Sequence, residues 1–355
     1  VSATDPAADD PAERHLGLEG GEGTAVRAFA PGRVNLIGEH TDYAGGLALP
    51  MAVHLGTTVT GVRGDDRVVL ASADEPEPAD LALSVAEPDR VEPAWARYVA
   101  GVVALSHPAV GLTGEVSSTL PIGAGLSSSA ALEVAAALAL GVTGTARQLA
   151  ELARRAEQEA SGVPCGLMDQ LAATCGVAGH ALLMDFGTGT VRPVPVPEGL
   201  EVVVVHSGRS RRLAGSAYAQ RRHEIEAALA LLGPLADVGA DAVAGIADPV
   251  LRRRARHVVT ENERVRATVE AFGAGDLAGV GRLVDESHAS LRDDAEVSTP
   301  ELDALCDDLR RVPGVHGARL TGAGFGGCVV AVGEPGALDR GWVLRPAPGA
   351  HVESR

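Results

Sequence analysis

Between Arg33 and Asp42 the chain packs Arg33, Asn35, Glu39, His40 and Asp42 into ten residues. Glu39 and Asp42 are too close in sequence to flank a glycosidic bond as an acid–base pair unless the loop folds back. They suit a different task, accepting hydrogen bonds from several hydroxyls of one small polyol, because each ionised carboxylate offers two oxygens with several lone pairs. Arg33 carries a permanently charged fork that fits a phosphoryl oxygen. The plain alternative is a solvated loop with local ion pairs, which are common and contribute little.

A second cluster, Pro121-Ile-Gly-Ala-Gly-Leu-Ser-Ser-Ser-Ala130, lies between an alternating strand pattern and an Ala/Leu-rich helix pattern. Gly123 and Gly125 permit positive φ and let backbone approach an anion closely. The first N–H groups of the helix beginning near Ser127 sit at the positive end of its dipole, where a phosphate is stabilised. The hydroxyls of Ser127, Ser128 and Ser129 add donors and a candidate Mg²⁺ ligand. A serine-capped turn would account for one hydroxyl, and three in a row exceed what a cap uses. The spacing is not Gly-x-Gly-x-x-Gly with an acid about 20 residues on, which disfavours a dinucleotide dehydrogenase. In the third segment Glu157 lies late in a helix pattern that breaks at Gly162 and restarts before Gln170. Asp169 stands there among Leu167, Met168 and Leu171, with Gly166 opening room in front of it. Such a carboxylate needs a partner, a metal or a proton to handle, or else it caps a helix.

All thirty basic residues are arginine; lysine is absent. That excludes a P-loop lysine, a protein-kinase strand lysine and a Schiff base. A nucleotide phosphate would rest instead on backbone N–H groups, a helix N-terminus, a metal or arginine. Against 47 acidic residues the net charge is −17, which opposes nucleic acid and anionic membranes as partners. Cys165, Cys175, Cys306 and Cys328 show no metal-site spacing and read as small buried hydrophobes. No apolar run reaches the roughly 18 residues of a membrane span. The first residues lack the apolar stretch of a secretory signal, so a soluble, cytoplasmic chain is expected.

The positioning elements follow from periodicity. Strand patterns cover residues 25–30, 57–62, 67–72, 115–120, 181–186, 201–206, 318–320 and 328–332, the last read as a closing strand. Helix patterns cover 94–105, 127–140, 146–160, 216–232, 248–274, 277–288 and 300–312. The mixture lacks a βαβ rhythm and points to α+β. Residues 1–23 read as a mobile tail, 24–190 as an N-terminal sugar- and ATP-binding lobe and 191–355 as a C-terminal lobe. The Gly/Thr/Pro stretch 187–197 is the best boundary.

Taken together, these segments resemble the galactokinases of the GHMP small-molecule kinase superfamily. Gly32-Arg-Val-Asn-Leu-Ile-Gly-Glu-His-Thr-Asp-Tyr43 matches their signature, Pro121–Ala130 the ATP loop and Gly162–Gln170 the catalytic-aspartate segment. Arg319-Leu-Thr-Gly-Ala-Gly-Phe-Gly-Gly-Cys328 matches the C-terminal glycine motif. The resemblance implies two α+β lobes, one like ribosomal S5 domain 2 and one ferredoxin-like, with the site between them. It implies ATP-dependent phosphorylation of the anomeric hydroxyl of α-D-galactose by a monomer. Asp169 would face the C1 hydroxyl, as base or only to orient it, and Arg33 would lie near the phosphoryl group. Glu39, His40, Asp42, Gly166 and Tyr218 would contact the sugar. Pro121, Gly123, Ala124, Gly125, Leu126, Ser127, Ser128 and Ser129 would hold ATP, and Ser129 and Glu157 would hold Mg²⁺. Related kinases for N-acetylgalactosamine or L-arabinose share the loops, and a non-catalytic sugar and ATP sensor is the reading of a different class. Two stretches depart from the family pattern: the arginine-rich residues 206–213 and a shorter segment after Val332.

Overall fold

Strand Ala25–Asn35 begins with Val26, Ala28 and Ala30 buried and the residues between them more exposed, the alternation of a sheet with one covered face. From Ala30 onward every residue is buried, because loops now cover the second face as well. The strand continues past Pro31 through a register shift between Pro31 and Arg33 against Pro50–Arg63, so it runs five residues beyond the expected end at 30. The computed structural model describes residues 10–18, 20–209, 214–233 and 238–353.

The first lobe is a six-stranded sheet in the order His351–Val352, Ala25–Asn35, Pro50–Arg63, Leu112–Ser118, Arg67–Ser72, Ala79–Ala82. Helices Ala96–Ser106, Ser128–Ala139, Ala146–Ser161 and Met168–Cys175 join it in one hydrophobic core. Helix Ser128–Ala139 fits because its buried positions are mostly alanine, and small side chains let a helix axis approach the strands closely. The second lobe is a four-stranded sheet in the order Val315–Thr321, Cys328–Gly333, Glu201–His206, Trp342–Leu344. Helices Leu277–Asp293 and Pro300–Arg310 pack on it around Val203, Leu291, Leu302 and Leu320. Helices Ala214–Leu232 and Pro249–Ala274 form a third cluster with Ala44.

The ends of the lobes differ from expectation. Residues 10–23 are not a loose tail: Pro11–Glu13 forms a helical turn with Pro11 and Ala12 buried, and His15–Leu16 pairs with Gly144–Thr145. Residues 1–9 lie outside the described part. Thr190–Pro195 pairs with His180–Asp185, which in turn pairs with Leu47–Ala48. The first lobe therefore extends past 190, and the chain crosses to the second over 196–200. Nor does Cys328–Gly333 close the fold. Trp342–Leu344 pairs with Glu201–His206, Pro346 bridges to Val53, and His351–Val352 returns to the first lobe beside Ala28 and Phe29. Among the described residues no helix is long and apolar enough to cross a membrane.

Among the described residues four α-helices start on side-chain caps: Thr145 in a capping box with Gln148, Asp248, Asp276 and Thr299. Helix Ser128–Ala139 does not. Its N-cap residue Ser127 stands at φ 58° and makes no cap hydrogen bond, so the N–H groups of that first turn remain available to an anion.

Candidate active site

The loop after strand Ala25–Asn35 is held from behind by helix Pro249–Ala274. His257 Nε2 lies 3.0 Å from the Glu39 carbonyl oxygen, the Gly38 N–H donates to Glu261 Oε1 at 2.9 Å, and the Leu47 N–H donates to Asn262 Oδ1 at 2.8 Å. Glu261 is fully buried, which opposes its charge, but Arg264, His257, Arg319 and the Ser287 hydroxyl together hold it down at about 2. On the other side, the second lobe grips Glu39. Its Oε1 accepts from Arg319 Nη2 at 3.2 Å, Thr321 Oγ1 at 3.0 Å and the Gly322 N–H at 2.6 Å. Burial works against the Glu39 charge, and Arg319, Arg33 and Gly322 outweigh it, so the carboxyl stays below its ordinary range.

His40 sits at φ 61°, with Nδ1 2.7 Å from the Tyr43 hydroxyl and Nε2 3.3 Å from the Ala323 carbonyl. Burial drives its pKa down to about 4 despite the Glu39 charge; at neutral pH the ring is an uncharged hydrogen-bonding group. With Nε2–H donating to Ala323, Nδ1 accepts from Tyr43. Asp42 Oδ1 accepts the Tyr43 N–H at 3.0 Å. A Cβ added to Gly166 would lie 1.4 Å from Asp42 Oδ2, so any larger residue there must push the Asp42 carboxylate aside. Burial, then the charges of Asp169 and Glu39, raise Asp42 to about 6. Its carboxylate is thus short of donors, the condition of a group awaiting ligand hydroxyls.

Asp169 opens helix Met168–Cys175 without capping it, since its side chain turns to Arg33. Arg33 Nε and Nη2 donate to its two oxygens at 2.8 and 2.7 Å, a bidentate fork, while Arg33 Nη1 donates to the Gly125 carbonyl at 2.7 Å. The Ser127 hydroxyl, free of capping, donates to Asp169 Oδ2. Thus the Gly162–Gln170 segment, the polar loop and the glycine–serine loop meet at one ion pair. Gly123 and Gly125 stand at φ 75° and 68°, which lets the loop turn back on the helix start.

Ser129 Oγ donates to Glu157 Oε1 at 2.7 Å, and Gln170 Nε2 donates to Oε2 at 2.6 Å. Burial raises Glu157 above its usual range, and Glu133, one turn along the helix from Ser129, is pushed well above it by burial and then by Glu157. Among the described residues no three His, Cys, Asp or Glu side chains form a metal cage. A hard cation such as Mg²⁺ binds through one or two oxygen ligands plus phosphates, and the Ser129 hydroxyl beside the Glu157 carboxylate fits that pattern.

Two cavities share this junction. One, of about 270 Å³, is lined by Glu39, His40, Asp42, Gly166, Tyr43 and Tyr218. The other, of about 370 Å³, is lined by Pro121, Gly123, Gly125, Leu126 and Ser127 to Ser129, with His206 and Gly327 across from them. Arg33, Glu157 and Asp169 border both. Tyr218 reaches the first cavity from helix Ala214–Leu232, its ring centroid 5.7 Å from that of His40. Of the residues expected at the nucleotide, Ala124 is fully buried, its N–H donates to the Pro121 carbonyl, and it lines neither cavity. In the arginine-rich stretch, Arg209 pairs with Glu301 at 3.2 Å on the surface, and residues 210–213 lie outside the described part. Tyr43, Glu133, Gln170, Glu261, His206 and Gly327 were not singled out by sequence. Tyr43, Gln170 and Gly327 lie inside quoted motifs and His206 opens the arginine-rich stretch, signals that could have found them; Glu133 and Glu261 carried none.

The galactokinase galactose-binding signature matches residues 16–63, the GHMP kinase N-terminal domain residues 96–177 and the GHMP kinase C-terminal domain residues 268–341. The galactokinase of Roseiflexus sp. (strain RS-1) is 45% identical over 346 residues, covering 92% of this chain and 87% of its own. That of Homo sapiens is 42% identical over 345 residues, covering 92% and 88%. The structure of Lactococcus lactis galactokinase complexed with galactose superposes with a TM-score of 0.84 at 32% identity, covering 92% of this chain and 94% of that one. With both lobes and all three signature regions matched in order, the chain belongs to the galactokinase family of GHMP kinases.

Proposed function

We propose that this protein transfers the terminal phosphoryl group of ATP to the anomeric C1 hydroxyl of α-D-galactose, giving α-D-galactose 1-phosphate and ADP. The observation that carries this reading is the common wall of the two cavities. A hydroxyl-binding chamber and an anion-binding turn meet at Arg33 and Asp169, so acceptor and donor would lie on either side of one ion pair.

In the first chamber, Asp42 and the free oxygen of Glu39 accept hydrogen bonds from sugar hydroxyls, and the neutral His40 ring, its nitrogens engaged by Tyr43 and Ala323, packs beside them. Asp169 accepts the hydrogen bond of the C1 hydroxyl and so orients its oxygen toward the second chamber. As the new O–P bond forms and the bond to the ADP oxygen breaks, the proton of the C1 hydroxyl passes to a carboxylate oxygen of Asp169. Arg33, held by Asp169 and Gly125, supplies a fixed positive charge beside the phosphoryl oxygens, and the uncapped helix start at Ser127 supplies N–H donors to the phosphates. Mg²⁺ held by Ser129 and Glu157 would neutralise charge on the phosphate chain. All of these groups come from one chain, so the reaction as proposed draws on no residue of a second copy.

The test is ADP release from Mg-ATP with galactose, 2-deoxygalactose, N-acetylgalactosamine, glucose and L-arabinose supplied separately. Galactose should give the highest kcat/KM. Preference for another sugar would reassign the substrate, and no sugar-dependent release would remove catalysis.

A further inference from the structure

We infer that Arg222 is a positioning residue for the sugar: its guanidinium, seated over the Tyr43 ring, fixes the Tyr43–His40 pair that walls the sugar chamber. This rests on the galactose reading above and adds to it a residue outside the cavity lining.

Helix Ala214–Leu232 carries Tyr218 and Arg222 four residues apart, hence on one face. Tyr218 reaches the chamber itself. One turn on, the Arg222 guanidinium carbon lies 5.1 Å from the Tyr43 ring centroid, within reach of a cation–π attraction. Arg222 Nε donates to Glu226 Oε1 at 2.7 Å, which fixes the plane of the fork, and the side chain is only 20% exposed. Little solvent therefore competes with the ring for the charge. Tyr43 passes the constraint on. Its hydroxyl meets His40 Nδ1 at 2.7 Å, its ring stands edge-on to His40 at 87°, and it stands edge-on to Tyr218 at 84°. Three rings thus brace one another around the chamber, and a charge is set against the middle one. Tyr43 also offers the backbone N–H that Asp42 accepts. Arg222 is moreover a cation acting on Asp42, whose carboxylate neighbours Asp169 and Glu39 both oppose its ionisation. Removing Arg222 should therefore loosen the His40–Tyr43 geometry and leave Asp42 a poorer acceptor, while the nucleotide turn is untouched.

The experiment measures kcat and both KM values for wild type, Arg222→Met, Arg222→Lys, Tyr43→Leu and the Arg222→Met/Tyr43→Leu double variant, with thermal melts alongside. For Arg222→Met the KM for galactose should rise about tenfold, with the KM for ATP and kcat within about twofold. Arg222→Lys, which keeps a cation over the ring, should recover part of the loss. In the Tyr43→Leu background the Arg222→Met step should raise the galactose KM by less than half of the factor seen in wild type, because most of its effect runs through Tyr43 and only the charge on Asp42 remains. An unchanged galactose KM, an equal rise for ATP, or full additivity would overturn the inference. If Arg222→Met does not fold, Arg222→Lys decides: a selective rise in galactose KM supports it and an equal rise for both substrates overturns it. A wild type inert toward galactose but active on another sugar defeats the substrate reading alone, and the same variants are then measured on that sugar. Inactivity on every sugar defeats both.

Discussion

The Asp42→Asn substitution exchanges a carboxylate for an amide of the same shape in the wall of the sugar chamber. The amide oxygen can still accept the Tyr43 N–H that Asp42 Oδ1 takes at 3.0 Å, so local geometry is kept and the charge is removed. Burial, followed by Asp169 and Glu39, lifts the native carboxyl from 3.8 to about 6, and that elevation corresponds to about 3 kcal/mol. The native state holds this proton more tightly than the unfolded chain does. Below about pH 4 both states are protonated and the penalty vanishes; between about pH 4 and 6 wild-type stability falls as pH rises, and above 6 the whole cost is present. The amide does not titrate, so the variant lacks this slope. Urea unfolding at pH 4.5 and pH 8 should therefore show the variant more stable by about 1 kcal/mol at the lower pH and about 3 kcal/mol at the higher. Its affinity for galactose should fall by roughly 10- to 100-fold, since a hydrogen bond to a charged acceptor contributes about 1.5–3 kcal/mol, while ATP affinity holds. A variant less stable than wild type at pH 8, a stability gap that does not widen with pH, or equal loss of both ligands would refute the reasoning.

Asp169→Asn should lower kcat by about 10²–10⁴ through loss of the proton acceptor, with nucleotide binding retained by calorimetry; normal turnover would take Asp169 out of its role. Gly166→Ala places a methyl 1.4 Å from Asp42 Oδ2, so galactose KM should rise more than about tenfold as Asp42 is displaced, and ATP KM should not change. A change confined to ATP would contradict the placement of Gly166. Arg319→Leu leaves Glu39 buried without its main counter-charge, a loss of about 3–5 kcal/mol. Because Glu39 is held ionised in the native protein, that deficit should be full at pH 8 and shrink toward pH 4 as the stranded carboxylate takes up a proton. Melts showing the same deficit at both pH values would count against the pairing.

Residue type and spacing revealed the parts of the site that do local work. The glycine–serine turn and the acidic loop were legible because positive φ, helix dipoles and carboxylate lone pairs are properties of short segments. What joins them was not legible. Arg319 grips Glu39, Glu261 holds Gly38, and Arg222 sits on Tyr43 across long stretches of chain, so nothing in local pattern marks any of the three. Glu39 shows the consequence: read as a sugar contact, it commits one oxygen to the second lobe. The fold errors have similar causes. Residues 10–23 have the Asp, Pro and Gly content of a tail, yet their pairing with Gly144–Thr145 spans much of the first lobe. Thr190–Pro195 contains two prolines and reads as a linker, but it is the edge strand of its sheet, a place where proline is tolerated.

The return of His351–Val352 to Phe29 and Ala28 bears on how the molecule is made. The outermost rung of the first sheet is supplied by residues translated almost a whole chain after the strand it covers. A ribosome must therefore release most of the second lobe before the first has its full complement of strands, and Ala25–Asn35 spends that interval with an uncovered margin. Through a segment made after most of the second lobe, the two halves are completed together and not one after the other.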